Sequence, residues 1–290
     1  MESHLLTAIV PVGPAHILKN RLRNWTEEAN RFSSELKLII VLDTNDPEVM
    51  KQVDFNGFVH AEIVQGNFGS PGSARNAGLK NINSRWTCFW DCDDEPEIQR
   101  FIDMVKAADS QKYEVAIGNF EILSSSNLEE SKAFFHDGNL SIVADNPGIW
   151  RMAFSQHINS SEVFENLRMA EDQIYILDLK LPTRKIYFEE KEVYSYLNYE
   201  VGQLTKNKEA LKRIPEAISL IKNRINLGRI PTNEFSIKIL ARIYLTALKK
   251  GSLLTKISVA IDYMKYIINQ NQVRMPLIKA TIKVISTKYN

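Results

Sequence analysis

Three carboxylates fall within four positions at Asp91-Cys92-Asp93-Asp94. Directly ahead of them runs Trp86-Thr87-Cys88-Phe89-Trp90, an apolar, aromatic stretch that predicts a buried strand. Glu95 and Pro96 follow and are expected to stop the strand and open a loop. Carboxylates crowded at a buried strand end repel one another, and the cluster is costly unless something positive occupies it. A hard divalent cation, Mn2+ or Mg2+, suits such a place, because it takes oxygen ligands, keeps waters and shares its shell with substrate phosphates. On this reading Asp91 and Asp93 form a D-x-D clamp that holds a nucleotide diphosphate through a metal. The competing reading is a solvated acidic loop, since D-x-D alone is a common pattern.

The elements that would position this cluster are legible as hydrophobic runs. Residues 6–12 and 36–42 read as fully buried strands, broken by Gly13-Pro14 and by the turn sequence from Asp43 to Pro47. Residues 15–34 carry Ile17, Leu18, Leu22, Trp25 and Phe32 at roughly helical spacing. A helix over 47–53, a short strand over 61–64, a Gly-rich turn at 66–72 and a helix over 73–83 lead to the aromatic strand. Alternating buried strands and helices predict a mostly parallel sheet with helices on both faces. Ligands of such sheets sit beyond the carboxyl ends of the strands. Asp43, the Gly-rich turn and Asp91 all fall there.

Beyond the cluster the pattern predicts a helix over 97–108, a strand over 114–120, an exposed Ser-, Asn- and Glu-rich excursion over 124–133 and a returning strand over 134–142. Asn146-Pro147-Gly148 reads as a turn, and a helix-like stretch runs up to Phe164. A helix over 167–177 contains Glu171-Asp172-Gln173 at its head, and residues 185–199 read as a strand pair or as one strand with a crossing loop. From about 206 the chain reads as helical, with breaks at 227–231 and 250–252.

Composition sets the bounds. With 290 residues the chain has room for one large domain, or a domain and an appendage. The net charge of +1 conceals a strong asymmetry. Residues 203–290 hold 17 Lys and Arg against 4 Asp and Glu, a balance of +13, and residues 1–202 balance at −12. The acidic part reads as a catalytic body and the basic part as a region that meets something anionic. No apolar run approaches the roughly 18 residues of a membrane span, and residues 5–12 are too short for a signal-peptide core. Cys88 and Cys92 suit neither a disulfide framework nor a four-ligand zinc site. A cytoplasmic protein is therefore expected.

Several segments stand in a telling order: the strand ending at Pro11, the strand ending at Asp43, Gly72-Ser73-Ala74-Arg75-Asn76-Ala77-Gly78, Trp90-Asp91-Cys92-Asp93-Asp94, Asn146-Pro147-Gly148-Ile149-Trp150-Arg151 and Glu171-Asp172-Gln173. Over roughly residues 5–200 this resembles a GT-A fold family 2 glycosyltransferase, in particular the bacterial enzymes that build capsule, lipopolysaccharide or other surface glycans. The resemblance implies a GT-A catalytic domain over 1–204, an α/β domain of Rossmann-like build, with a basic helical C-terminal region over 205–290. It implies a nucleotide-sugar donor, UDP-linked, held by Pro11, Asp43, Gly72, Arg75, Asn76, Asp91, Trp150 and Arg151. Asp43 would accept the N–H of a uracil-type base, and its other reading is a turn aspartate. Arg75 would add a cation beside phosphate at a helix start, or be a plain surface arginine.

Asp93 leads as metal ligand, with Asp91 ligating through water or bonding the ribose. Asp172 would be the general base that deprotonates the acceptor hydroxyl, and Glu171 would orient it. Both also suit a helix N-terminus, where the macrodipole favours carboxylates anyway. Trp150 offers a face for a sugar ring and Arg151 a cation for phosphate or carboxylate, or the two are a buried Trp and a salt-bridged Arg.

Departures and alternatives complete the reading. Related enzymes often carry a late histidine as an extra metal ligand, and here residues 194–199 contain none, so the third ligand is open. His4, His16, His60, His136 and His157 share no metal-ligand spacing and read as surface or structural residues. In the tail, Ile257, Ile261, Met264, Ile267 and Ile268 make one apolar face and Ile278, Ile282 and Ile285 another, flanked by lysines. Such helices either pack on the body or lie peripherally on an anionic membrane surface, which would suit a glycan or lipid-linked glycan acceptor. No nucleic-acid partner is expected. The competing functions are a haloacid-dehalogenase-like phosphohydrolase using Asp91 as nucleophile and a non-catalytic nucleotide-sugar binder.

Overall fold

The structure, a computed structural model, describes residues 4–17, 23–50, 61–124, 131–159, 163–198, 208–269 and 271–287. In chain order its elements are β1 (Leu6–Val12), α1 (Pro14–Ile17), α2 (Arg23–Asn30), β2 (Leu36–Asp43), α3 (Pro47–Met50), β3 (Ala61–Gly66), α4 (Pro71–Leu79), β4 (Trp86–Phe89), β5 (Glu95–Pro96), α5 (Ile98–Ser110), β6 (Val115–Leu123) and β7 (Ser131–Phe134). They continue as α6 (Leu140–Val143), a 3-10 turn (Ile149–Arg151), β8 (Met152–Ser155), α7 (Gln156–Asn159), α8 (Glu171–Asp178), a 3-10 turn (Leu181–Thr183) and β9 (Ile186–Leu197). The C-terminal helices are α9 (Lys208–Leu211), α10 (Ile214–Asn226), α11 (Glu234–Lys250), α12 (Leu253–Asn269) and α13 (Asn271–Thr287).

The chain divides into two compact units. The first holds Met1–Asp137, Gly148–Asn166 and Thr183–Val201, and the second holds Gly138–Pro147, Leu167–Pro182 and Gly202–Asn290. The second unit thus takes in two segments that precede the C-terminal helices in the chain.

In the first unit the strands lie in the order β3-β2-β1-β4-β8-β6-β9-β5, with β7 on β6. The run β3-β2-β1-β4 is parallel throughout. β8 then enters antiparallel between β4 and β6, and β6 pairs parallel with β9 across a bulge at Gly118–Phe120. Strands covered on both faces carry unbroken apolar runs. β1 is accordingly buried along its length except at Pro11, and all four residues of β4 are buried. The core combines these strands with Ile98, Phe101, Ile102 and Val105 of α5.

Several local expectations need correction. Glu95 and Pro96 do not open a plain loop. They pair as β5 with Ser195 and Tyr194 of β9, an edge position where a proline's missing N–H costs no ladder bond. The returning strand over 134–142 stops at Phe134, and α6 follows it. Of the two readings of residues 185–199, the strand pair gives way to one long strand, β9. The helix expected over 73–83 starts earlier, at Pro71, because Ser70 caps it and proline suits a first helical turn. Parts of the helices expected over 15–34 and 47–53, and of the excursion over 124–133, lie outside the described residues.

The second unit is helical. Lys238 of α11 is buried, and its ammonium bonds Asp145 Oδ2 and the Ser141 carbonyl, each at 2.6 Å. That ties the 138–147 segment to the C-terminal helices. α8 is fastened by its last residue, Asp178, whose carboxylate pairs with Arg224 of α10 and with Arg229.

Candidate active site

Pro11 marks where the sheet opens. The Trp90 N–H donates to the Ile9 carbonyl, so Ile9 faces β4. Pro11, two residues on, faces the same way, but the β1–β4 ladder has ended at Phe89. A residue without an N–H fits there because no partner strand asks for one. The carboxyl ends of β1 and β4 part at this point.

At the end of β2, Asp43 turns back on the loop before α4. Its carboxylate accepts the Phe68 N–H at 2.5 Å and the Gly69 N–H at 3.1 Å. Gly69 has φ +73, the left-handed region that glycine reaches without strain. Asp43 is therefore the brace of the Gly-rich turn, a task its position at a strand end did not reveal.

Helix α4 carries the next group. Ser70 caps it by accepting the Ser73 N–H at 3.2 Å. The Ser70 and Ser73 hydroxyls both donate to Asn166 Oδ1, at 2.9 and 3.1 Å. Gly72 is buried in the first turn. Gly78 has a packing role: a Cβ there would meet the Ile9 side chain at 2.5 Å, so glycine lets α4 lie close on β1. Asn76 uses both ends of its amide on the Phe164 backbone, donating to the carbonyl at 2.7 Å and accepting the N–H at 2.8 Å. Arg75 is only 4% exposed. Its Nη2 meets Asp91 Oδ1 at 2.8 Å, and its guanidinium lies over the Phe164 ring. Its nearest anionic partner is thus the acidic loop itself.

The three carboxylates of that loop diverge. Asp91 takes Arg75. Asp93 faces His16, with Oδ2 3.6 Å from Nε2. Asp94 is buried and accepts the Leu197 N–H at 2.9 Å and the Tyr194 hydroxyl at 3.2 Å. Tyr194 also accepts the Asp91 N–H at 3.1 Å, so one phenol holds both ends of the turn, which the Asp94 N–H to Asp91 carbonyl bond closes. Burial, then the neighbouring Asp91 and Asp93 charges, push the Asp94 carboxyl well above its ordinary value. Burial and the same carboxylates push the Cys92 thiol up. Asp91 and Asp93 remain partly exposed, which puts two of the three carboxylates on the accessible side of the turn.

Trp150 and Arg151 turn inward. Trp150 stacks on Tyr194 (centroids 4.6 Å, 22°) and Tyr196 (5.8 Å, 22°) and meets Phe120 edge-on. Arg151 is 2% exposed and lies over the Phe120 ring at 4.8 Å. Arg151 is therefore closed to a dissolved phosphate. Glu171 and Asp172 begin α8 in the second unit, with Glu171 buried and Asp172 partly exposed. Ala170 before them has φ 62, a left-handed conformation that strains a residue with a Cβ and occurs preferentially at functional positions.

Among the described residues, one group of three potential ligands lies close enough to share a metal ion: His16, Cys92 and Asp93, with their ligand atoms within 4.8 Å of one another. His16 is thus not a detached surface histidine. The other described histidines are otherwise engaged or remote from the loop. His136 bonds the Glu189 carbonyl, and His157 bonds Glu114. An imidazole nitrogen and a carboxylate oxygen, with the Cys92 sulfur beside them, form a donor set that fits a divalent cation. Tyr194, Asn166 and His16 were all missed in the sequence. Only His16 had a usable signal: it stands four residues past the end of β1, as Asp93 does past the end of the adjacent β4.

This sheet order, with its acidic loop and capped helix at the carboxyl edge, defines the GT-A class of α/β fold. The same architecture is found in Staphylococcus aureus TarS residues 1–349 in complex with UDP-GlcNAc, at TM-score 0.66 and 16% identity, covering 98% of this chain and 91% of that one. It is also found in the mannosyltransferase PcManGT of Pyrobaculum calidifontis in complex with GDP-Man and Mn2+, at TM-score 0.54 and 13% identity, covering 98% and 88%. Against the longer S. aureus TarS structure the TM-score is 0.63 at 15% identity, with 97% of this chain and 54% of that one covered. No match is found among curated protein sequences. Residues 15–168, over half of the chain, match glycosyl transferase family 2. The chain belongs to that family and is a glycosyltransferase.

Proposed function

We propose that the enzyme is an inverting, metal-dependent transferase that moves a hexosyl or N-acetylhexosaminyl group from a UDP-linked donor to a hydroxyl of a glycan or lipid-linked glycan, in the assembly of a bacterial surface polysaccharide. The observation that carries this reading is the acidic loop: Asp91 and Asp93 stay accessible at the carboxyl edge of the parallel strands while Asp94 is buried beneath them. The UDP-GlcNAc of the TarS complex and the GDP-Man and Mn2+ of the mannosyltransferase complex support it. So does family membership, which also displaces the phosphohydrolase alternative.

Asp93, with Asp91 beside it, would hold Mn2+ or Mg2+. The ion when bound supplies Lewis acidity at the donor's diphosphate, where leaving-group charge develops. Arg75, itself buried, pairs with Asp91 and fixes the carboxylate's position. Asp43 fixes the turn whose backbone leads into α4, and the first turn of that helix offers N–H groups to an anion. Asp172 takes the proton of the acceptor hydroxyl, whose oxygen then attacks the anomeric carbon opposite the departing diphosphate and inverts it. The strained Ala170 before the Glu171-Asp172 pair supports a functional task there, and Glu171 orients the acceptor.

The C-terminal helices support a peripheral location. Leu254, Ile257, Ile261, Met264 and Ile268 of α12 are exposed in a continuous stripe at helical spacing, and Met275, Ile282 and Ile285 are exposed on α13, with Lys265, Lys279 and Lys283 around them. Ile267, expected on that face, is buried instead. No helix among the described residues is long and apolar enough to cross a membrane. An anionic lipid surface satisfies both the apolar stripe and the lysines.

UDP release from UDP-sugars, measured with and without Mn2+ and acceptor, tests the reaction. Asp93→Ala is expected to lose metal-dependent UDP binding. Asp172→Asn is expected to keep donor binding and lose about 10²–10⁴-fold in turnover; near-normal turnover removes Asp172 from the mechanism.

A further inference from the structure

We propose that His16 is a metal ligand of this site: its imidazole, presented from the turn after β1, joins Asp93 in holding the divalent cation and biases the site toward Mn2+ over Mg2+. The inference rests on the metal-dependent reading above and goes beyond it in naming the ligand and the consequence for ion choice.

Three observations carry it. First, the backbone that carries the ring is anchored. The His16 N–H donates to the Gly13 carbonyl at 2.9 Å, in a turn that leaves β1 directly, so His16 inherits the rigidity of a buried central strand. β1 and β4 are adjacent and parallel, and the chain four residues past each brings His16 and Asp93 face to face. Second, the Nε2 atom is buried and finds no hydrogen-bond partner among the described residues, although it points at a carboxylate. Its 3.6 Å separation from Asp93 Oδ2 is too long for a hydrogen bond. It is in the range for two atoms bound to one cation, since ligands each about 2.1 Å from an ion stand roughly 3–4 Å apart. Third, the Cys92 sulfur lies in the same small volume, but a hard ion in an oxygen-rich site takes an imidazole and carboxylates ahead of a thiol.

Ion preference follows from ligand chemistry. Mg2+ favours carboxylate, phosphate and water oxygens in near-ideal octahedral geometry. A nitrogen ligand gains more from a first-row transition ion, and affinity rises from Mn2+ along that series. An oxygen-only clamp would bind the two ions through the same chemistry, and His16 breaks that equivalence.

The test uses the full chain with Mn2+ and UDP as probes. Electron spin echo modulation of the Mn2+–UDP complex should show coupling to an imidazole nitrogen in the unaltered protein, and the coupling should vanish in His16→Ala. Calorimetric titration should show that His16→Ala weakens Mn2+ binding in the presence of UDP by about tenfold or more and Mg2+ binding by less, with UDP-free thermal unfolding unchanged. Mn2+ held with UDP but without nitrogen coupling, or held equally by His16→Ala, overturns the assignment of His16 and leaves the proposed function standing. If the unaltered protein takes up no Mn2+ with UDP while its other nucleotide contacts are intact, the metal-dependent reading fails, and this proposal fails with it.

Discussion

Two aspartates, one in each unit, are almost completely buried and solve the same problem differently. Asp94 in the first unit is 2% exposed and Asp178 in the second is 3% exposed. Asp178 sits at the C-terminal end of α8, where the helix dipole disfavours negative charge, and is met by Arg224 and by Arg229 at 3.4 Å. Asp94 is held by neutral donors, the Leu197 N–H and the Tyr194 hydroxyl. Arg75, on the neighbouring helix α4, pairs with Asp91 instead. A buried carboxylate keeps its charge where a cation faces it and tends toward its neutral form where only neutral donors do. The second unit therefore spends its charges on joining helices. The first sets two carboxylates on the accessible side of a loop, Asp91 beside Arg75 and Asp93 beside His16, where a cationic ligand can join them.

The largest expected effect tests the ion-paired member. Asp178→Ala takes this carboxylate away from the buried Arg224 guanidinium, and removing one partner of a buried pair typically costs about 3–5 kcal/mol. Urea unfolding monitored by far-UV circular dichroism should shift accordingly. A shift within the ordinary range of surface substitutions would mean that the pair is dispensable and the contrast between the two sites is empty. Asp178→Ala together with Arg224→Leu should recover part of the loss, because no buried cation is then left facing apolar surroundings.

What the sequence disclosed divides along the same line. Strands β1, β2 and β4 were legible because both faces are covered and nearly every position is apolar, so pattern and burial coincide. The acidic loop was legible because three adjacent carboxylates are conspicuous wherever they occur. Partnerships were not. Arg75 stands 16 residues before Asp91 with a helix and a strand between them, and nothing in the local pattern says that its charge is used internally. Arg151 looked ready for phosphate until its place over the Phe120 ring was seen. Pro96 looked like a breaker because proline usually is one, and only the edge position of β5 explains it. Tyr194 was noticed as the place where a histidine was missing, not as the phenol that closes the acidic turn. Local pattern reports which face of an element is buried, while the use of a polar group is decided by neighbours remote in the chain.

A smaller effect separates Asp94 from an ordinary buried charge. Asp94→Ala strands the Leu197 N–H and the Tyr194 hydroxyl, at a cost of about 1–3 kcal/mol for buried groups left unpaired. Asp94→Asn keeps an acceptor for Leu197 and should cost less. The sign of its pH dependence follows from the raised carboxyl. The folded state holds the proton more tightly than the unfolded state, so the contribution of Asp94 to stability is present below the ordinary value of 3.8 and is lost as pH rises toward the raised folded value. Asn does not titrate. The deficit of Asp94→Asn relative to the unaltered protein should therefore shrink as pH is raised from about 4 toward neutrality, read as the difference between two melting curves at each pH. A deficit that grows with pH would mean that the folded state favours the charged form of Asp94.

The smallest effect on stability comes from the group that links Asp94 to the accessible side of the loop. Tyr194→Phe keeps the ring that stacks on Trp150 and removes only the hydroxyl, which donates to Asp94 and accepts the Asp91 N–H. Lost hydrogen bonds of this kind cost about 0.5–1.5 kcal/mol each in net stability. The consequence for binding should be out of proportion to that figure. The hydroxyl fixes the backbone of Asp91 against the buried side of the turn, and a clamp built from Asp91 and Asp93 depends on where that backbone sits. Mn2+-dependent UDP binding should weaken in Tyr194→Phe while the melting temperature falls only slightly. Asn76→Ala, which releases the Phe164 segment beside Arg75 instead, should lower stability without changing the dependence of UDP binding on Mn2+. If the two variants behave alike, the acidic turn is not set by its phenol, and the neutral hydrogen bonds around Asp94 serve the fold alone.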